Sequence, residues 1–307
     1  MKATTYILTG ASSGMGFHLA RMLLKDGSSH LIIGARDPAL IRKQLSSFPE
    51  SRLNVFPLDL LRLDSIRHFS HAVIDELVGE SLIKGVICNA GIQLLGPARL
   101  TDDGIDETFA TNFLGHALLV EMLRPRLMNG AKVVMVGSGT HNAEDRLAAL
   151  FGFRGDFFSN TEALAAGTAH GDGTDIQKGM DRYATAKLCA IAYARYMAHK
   201  DNAVQWFSFD PGLMPGTSLA RERSWPERFG WHFFLPLLRF LVPGVSGPER
   251  SANALNNFIL LNKASAPSGS YLAYTGKPAP ASSKANDSTL GAKLHEHCLR
   301  VLEDNHL

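Results

Sequence analysis

A tyrosine and a lysine, Tyr183 and Lys187, stand four residues apart in the run GMDRYATAKLCAIAYARYMAHK. The run reads as a helix, and four residues is about one turn, so both side chains leave one face. An ammonium beside a phenol favours the phenolate and lowers a pKa that starts near ~10, making the tyrosine an acid/base group near neutrality. Taken alone, the pair has a second reading. Tyr183, Tyr193 and Tyr196 could be packing aromatics, with Lys187 a solvated charge. The other chemical stretch is TGASSGMG, from Thr9 to Gly16. Gly10 permits a tight turn, Gly14 lets backbone approach a pyrophosphate, and Gly16 lets a helix pack close to a strand. The N-terminus of that helix attracts phosphate.

Both stretches need elements to hold them. TTYILTG, HLIIGAR, NVFPLDL, IKGVICNAG, AKVVMVGS and AVQWFSFDPG read as six strands, and GSYLAYTG as a possible seventh. FHLARMLLKDG and IDETFATNFLGHALLVEML read as helices between them, and SIRHFSHAVIDELV puts Ile66, Phe69, Val73 and Leu77 on one helical face. Strand runs that are apolar throughout, rather than alternating, fit a parallel sheet covered on both faces. The expectation is an α/β, doubly wound parallel sheet of Rossmann type in one domain, residues 1–307, with its ligand crevice at the carboxyl ends of the strands. The glycine loop then falls between first strand and first helix, the context that makes it a dinucleotide motif. Two segments exceed a minimal sheet. Residues 139–182 are glycine-rich and aperiodic, and read as an insertion able to move and close over substrate. Residues 213–250 follow the sixth strand and are rich in Trp, Phe, Leu and Pro.

The 307 residues carry 31 basic and 29 acidic side chains, a net charge of +2 without like-charge blocks, so a nucleic-acid partner is not expected. Cys88, Cys189 and Cys298 are an odd number at wide spacing, which argues against disulfides and zinc, and no metal is expected. Cys88 reads as a small buried hydrophobe. Glycines come too early for a signal-peptide core, and WHFFLPLLRFLV is broken by Pro236 and Arg239, so the chain reads as cytoplasmic and without a membrane span. At the end of the second strand, IIGARDP places Ala35 where an acidic residue would mark NAD, and then Arg36. A guanidinium suits the 2′-phosphate of NADP(H), with Asp37 a decoy; Arg36 as a plain surface arginine is the other reading.

In order along the chain stand TGASSGMG, LDL with Asp59, NAG from Asn89 to Gly91, Asn112 in TNFLGH, Ser138 in VVMVGS, YATAK, and DPG from Asp210 to Gly212. On these pieces, over nearly its whole length, the chain resembles the short-chain dehydrogenase/reductase family. The resemblance implies that Tyr183 donates a proton to the substrate oxygen as hydride arrives from nicotinamide, or removes it in reverse. It implies that Lys187 lowers the Tyr183 pKa and holds the nicotinamide ribose, that Ser138 bonds the reacting oxygen, and that Asn112 holds a proton-relaying water. Cofactor contacts are implied for Gly10, Ser12, Ser13, Gly14, Met15 and Gly16 of the loop. Others are implied for Asp59 and Leu60 at the adenine, Asn89, Ala90 and Gly91 beside the adenosine, and Pro211 and Gly212. Asn89 could equally bridge strands. A non-catalytic NADPH-binding sensor would ordinarily lack Tyr, Lys or Ser, and this chain has all three.

Within the family the layout is similar to light-dependent protochlorophyllide reductases and retinol dehydrogenase-like enzymes. Ser138 and Tyr183 are 45 positions apart, where the family usually has about a dozen. Protochlorophyllide reductases carry a cysteine directly after the Pro-Gly pair, and here Leu213 stands there. A thiol can be polarised or give up a proton and an isobutyl group cannot, so photochemistry is not expected. The expected reaction is NADPH-dependent reduction of a lipophilic carbonyl, or its reversal. Reduction of a conjugated carbon–carbon double bond in a protochlorophyllide-like substrate is the alternative. Trp225, Phe229, Trp231, Phe233, Phe234, Leu237 and Phe240 offer an apolar lid over the crevice, a helix pair packed on the body, or a peripheral membrane contact through 225–242. The insertion precedes the helix through which many family members dimerise, which leaves monomer and homodimer open.

Overall fold

The computed structural model of the protein describes residues 4–77, 82–214, 244–260 and 266–305. The apolar runs become strands buried on both faces. The chain passes through β1 (Thr4–Thr9), α1 (Gly14–Lys25), β2 (Ser29–Ala35), α2 (Pro38–Gln44), β3 (Leu53–Pro57), α3 (Leu63–Glu76) and β4 (Ile83–Cys88). Then come α4 (Glu107–Phe109), a π-helical turn (Ala110–Leu114), α5 (Gly115–Leu123), β5 (Leu127–Val136), α6 (Arg146–Leu150), α7 (Thr161–Ala165) and α8 (Asp175–Lys200). β6 (Gln205–Phe209), α9 (Pro248–Ile259), β7 (Tyr271–Leu272) and α10 (Ser288–Asp304) complete the described residues.

Among these residues the sheet order is β3-β2-β1-β4-β5-β6-β7, with every pairing parallel. The chain builds outward from β1 to β3, returns to lay β4 on the other side of β1, and builds outward again. A crevice therefore opens at the carboxyl ends of β1 and β4, where the two directions part. One face of the sheet packs its Tyr6, Leu8, Leu31 and Ile33 with Leu19 and Leu23 of α1 and Leu255 and Phe258 of α9. The other packs Ile7, Ile32, Val86 and Val133 with Ile66, Phe69 and Val73 of α3, Leu118 of α5 and Ile191 of α8. The four apolar positions read on α3 are all buried, with Leu77 just past its last residue. No helix among the described residues is long and apolar enough to cross a membrane.

Three features beyond the sequence reading matter for the site. α8 begins at Asp175, one turn before GMDRYATAK, because the Thr174 hydroxyl caps it by accepting from the Gln177 N–H at 3.3 Å. The expected continuous helix around Asn112 contains a π turn, in which the Gly115 N–H reaches back five residues to the Ala110 carbonyl. Such turns are rare and concentrate at functional sites. Finally, the insertion expected to close over substrate carries bonds to the body of the fold at its middle. Arg154 pairs with Asp181, the Phe157 N–H donates to Thr185 Oγ1 at 2.9 Å, and Lys284 Nζ donates to the Phe158 carbonyl at 2.9 Å. These bonds join the insertion to α8 and to the carboxyl-terminal region. Of the apolar segment 213–250, residues 215–243 lie outside the described residues, and with them the aromatic tract from Trp225 to Phe240.

Asp181 is the centre of that anchorage. Its side chain is 0% exposed, whereas that of Arg154 is 40% exposed. It also accepts from the Gly171 N–H at 3.1 Å and from Gln177 Nε2 at 3.0 Å. Removing the arginine leaves a buried carboxylate without its counter-charge, while removing the carboxylate leaves a solvated guanidinium. Arg154→Ala should therefore lower the free energy of unfolding in urea by about 3 kcal/mol. Adding Asp181→Asn in that background should recover part of the loss; a further loss would mean the carboxylate is not the buried charge at issue.

Candidate active site

The glycine loop is built as the spacing demands. Gly10 has φ 71° and Gly14 φ 59°, values that favour glycine. A Cβ on Gly16 would fall 2.2 Å from the Gly10 carbonyl oxygen and 2.5 Å from Asn89 Nδ2, so only hydrogen fits where α1 crosses the loop. Ser13 is the N-cap of α1 yet its side chain makes no capping bond, and the first turn holds no acidic residue. The amides at that end are thus left for an anion, and the helix dipole favours one.

The opposite wall comes from the end of β4. Asn89 Nδ2 donates to the carbonyls of Thr9 and Gly10, both at 2.9 Å, which clamps β1 to β4 beneath the loop. Of the two roles open to Asn89, bridging strands is the one its amide nitrogen visibly performs. Thr9 Oγ1 accepts from the N–H groups of Asn89 and Ala90, both at 3.0 Å. Its own hydrogen must then go to His116 Nε2 at 2.8 Å, which makes His116 a neutral acceptor. Burial, and Lys187 nearby, push the His116 pKa down to about 3 in agreement.

Tyr183, Lys187 and Ser138 meet across the carboxyl ends of β4 and β5. Tyr183 is 7% exposed and Lys187 3% exposed, with Lys187 Nζ 5.7 Å from the phenol ring centroid. Asn112 joins them from behind: a Cβ on Gly91 would lie 2.8 Å from Asn112 Oδ1 and 3.6 Å from Lys187 Nζ. The Asn112 amide is bonded through both its oxygen and its nitrogen. Oδ1 accepts from the Ile92 N–H at 3.2 Å, and Nδ2 donates to the Ile92 and Thr108 carbonyls at 2.8 and 2.9 Å. Its side chain fixes the loop after β4 and keeps one acceptor position of Oδ1 open.

The expected lowering of the Tyr183 pKa by Lys187 meets a larger opposing effect. Burial raises the phenol well above its ordinary value, the Asp210 carboxylate adds to the rise, and a hydrogen bond with Ser138 opposes it. The ammonium instead donates to the Val136 carbonyl at the end of β5, at 2.8 Å. Desolvation pushes Lys187 down to about 8, with Asp210 pulling the other way. The resting site therefore holds a protonated phenol beside an amine that titrates near neutrality.

All the expected cofactor residues line one cleft of about 1200 Å³, which also admits Ser138. Asn112 stands behind its wall. Arg36 and Asp37 lie at the β2 end of the cleft, and Asp37 is spent on capping α2 by accepting from the Leu40 N–H at 3.0 Å. That leaves Arg36, exposed and in no ion pair among the described residues, as the charged group facing that end. Asp59 accepts from the Leu61 N–H at 3.1 Å and holds its turn at the rim. Cys88 is buried and its thiol is pushed up by desolvation, as a small core residue should be.

Several residues at the centre carried no role in the sequence reading. Asp210 is half-buried with its carboxyl pKa raised by desolvation, and accepts from the Gly212 N–H at 2.9 Å and the Tyr271 hydroxyl at 3.0 Å. His141 and Thr140 follow Ser138 in a short turn, and the Phe153 ring from the insertion lies 6.1 Å from that of Tyr183. Asp210 sat in DPG and His141 in GSGTHN, but nothing in the letters said which would face the phenol.

The fold and cleft define a doubly wound α/β protein that can take an extended ligand across its strand ends. Residues 4–149 match the short chain dehydrogenase family model. A WW domain-containing oxidoreductase of Danio rerio is 31% identical over 231 residues, covering 71% of this chain and 50% of that protein. A protochlorophyllide reductase of Avena sativa is 29% identical over 259 residues, covering 77% of this chain and 76% of that one. The chain thus spans about half the length of the first relative and about three quarters of the second. Among solved structures, an NADPH-bound carbonyl reductase from chicken fatty liver superposes with a TM-score of 0.64 at 17% identity, covering 92% of this chain and all of that one. An uncharacterised protein of Mycobacterium paratuberculosis gives 0.66 at 22% identity, covering 97% and 93%. These two likenesses concern the fold. The chain belongs to the short-chain dehydrogenase/reductase family of oxidoreductases.

The depressed Lys187 pKa has a consequence for stability. Between about pH 8 and 10.5 the unfolded lysine is protonated while the folded one is not, so folding gains stability as pH rises through that window. Below it both states bear the charge and the buried ammonium is a fixed cost. Relative to Lys187→Met, the wild-type chain should gain up to about 3 kcal/mol between pH 8 and 10.5 in denaturant titrations. A flat difference would show that the ammonium is not desolvated.

Proposed function

We propose that the chain is an NADP(H)-dependent oxidoreductase that moves a hydride to or from a lipophilic carbonyl or alcohol, with Tyr183 as general acid/base. The observation that carries the reading is the phenol: buried, held protonated, bonded to Ser138, and inside the same cleft as the uncapped end of α1. A nicotinamide dinucleotide, when bound, supplies or accepts the hydride. The residues fit such a group, since the end of α1 that opens onto the cleft has no side-chain cap and no acidic residue in its first turn. Arg36 supports NADP(H) over NAD(H), because Ala35, at the position of the usual acidic residue, offers no acceptor to a ribose. The chicken neighbour's NADPH points the same way.

The rest of the reaction is carried by the chain's own groups. Ser138 Oγ donates to the reacting oxygen as charge builds there, and Tyr183 gives that oxygen its proton. Lys187, with its pKa near 8, can return a proton to the phenolate at neutral pH. Leu94, Phe151, Phe153, Leu213 and Met214 line the substrate side and favour an apolar body behind the carbonyl. The Avena relative motivates a second reading, reduction of a conjugated double bond, but Leu213 in the cleft offers no proton.

Tyr183→Phe should cut turnover of apolar aldehydes or ketones by about 10²–10⁴-fold while leaving NADPH affinity unchanged. Retained turnover would remove Tyr183 as the proton donor. Arg36→Ala should weaken NADPH binding about tenfold or more and leave NADH nearly untouched, read by cofactor fluorescence. An equal loss for both would refute the 2′-phosphate contact. Protochlorophyllide reduced only under illumination, with every carbonyl inert in the dark, would favour the double-bond reading instead.

A further inference from the structure

We propose that His141 is a positioning residue for Ser138, aiming the serine hydroxyl into the cleft and tying it to the cleft wall after β7. The kinetic part of this proposal rests on the reductase reading above. Ser138 lies at the end of β5 and opens a short turn, Gly139–His141, which brings the histidine ring back under the serine. His141 is 1% exposed. Its Nε2 faces the Ser282 N–H at 3.1 Å, and a backbone N–H can only donate, so Nε2 accepts. The ring proton is therefore on Nδ1, which donates to the Ser138 carbonyl at 2.6 Å. Burial keeps the imidazole neutral against the opposing pull of Asp210, Asp156 and Asp145. Tyr271 holds the ring edge-on, with centroids 5.3 Å apart at 74°, and its own hydroxyl is fixed on Asp210.

The serine is thus held at both ends. Its carbonyl is held by His141, while Oγ accepts from the Thr140 N–H at 3.3 Å and Thr140 Oγ1 at 3.1 Å. With both acceptor positions filled, the Ser138 hydrogen is left to point outward, toward Tyr183 and a substrate oxygen. The other end of the ring reaches Ser282, next to Ala279, Pro280 and Ala281, which line the cleft. A displacement of that wall reaches Ser138 through one rigid imidazole.

A histidine that only fills space would make a different prediction from one that positions, and two substitutions separate them. His141→Asn keeps a donor near the Nδ1 position; His141→Gln keeps an acceptor near Nε2 and loses that donor. We expect H141N to retain kcat within about threefold and H141Q to lose about 10–100-fold, with the KM for NADPH unchanged in both. Equal kcat in the two folded variants would overturn the proposal. A readout without substrate uses 15N NMR and amide exchange at pH 7. His141 should be neutral and protonated on Nδ1, and the Thr140 amide should exchange faster in H141Q but not in H141N. A ring protonated on Nε2, or Thr140 exchange alike in both variants, would overturn it even if every carbonyl proved inert, an outcome that would count separately against the reductase reading.

Discussion

The site depends on a shortage of hydrogen-bond donors at the carboxyl ends of a parallel sheet. Where strands stop inside a crevice, their last carbonyls point at no neighbouring strand, and an unsatisfied buried carbonyl costs about 1–3 kcal/mol. The donors that meet this need are the side chains read as functional. Asn89 serves Thr9 and Gly10, Lys187 serves Val136, and His141 serves Ser138 just past β5, while Asn112 does the same for Ile92 in the loop after β4. Each is thereby locked in place by a bond that the fold requires regardless of chemistry. Positioning for a reaction and satisfaction of the strand ends are achieved by the same atoms.

That economy settles the electrostatics. Groups near the strand ends are desolvated, so their neutral forms are favoured. The phenol stays protonated, the Lys187 amine falls toward neutrality, and the Asp210 carboxyl rises. The usual argument that a lysine one turn away activates a tyrosine assumes that the ammonium faces the hydroxyl. Here it faces a carbonyl, and burial outweighs the pair interaction. A protonated phenol is nonetheless the form that a carbonyl reduction consumes, so this geometry suits an acid before it suits a base.

How much of this was legible follows from what each signal encodes. Strand runs such as YIL and GVIC are apolar without alternation, short and bounded by glycine, the pattern of a sheet buried on both faces, so six strands could be read directly. The seventh shrank to Tyr271–Leu272 because the chain folds straight back, with the Ala279 N–H returning to the Tyr271 carbonyl. α6 and α7 are five residues each, too short to display a period. The glycine loop and the Tyr–Lys spacing are local and survive without coordinates. The roles of His141 and Asp210 do not, because Ser282 is 141 residues from one and Tyr271 is 61 from the other. The net direction of the phenol's pKa shift is not legible either: spacing counts charges but says nothing about how much water is left around them.

The long gap between Ser138 and Tyr183 shows how an insertion can be accommodated while both residues stay in one cleft. Its ends are fixed by β5 and α8, and its middle is bonded to α8 through Arg154–Asp181 and Phe157–Thr185. α8 is itself set against the loop after β4. A Cβ on Gly179 would fall 2.3 Å from the Leu94 carbonyl, and Arg182 donates to the Gly96 carbonyl at 2.5 Å. A glycine costs a helix interior roughly 1 kcal/mol, so its presence four residues before Tyr183 reflects that close approach. With both ends and the tyrosine helix pinned, the added residues have one open direction, outward over the cleft. There they contribute Phe151 and Phe153, and so enlarge the apolar wall of the cleft beside Tyr183.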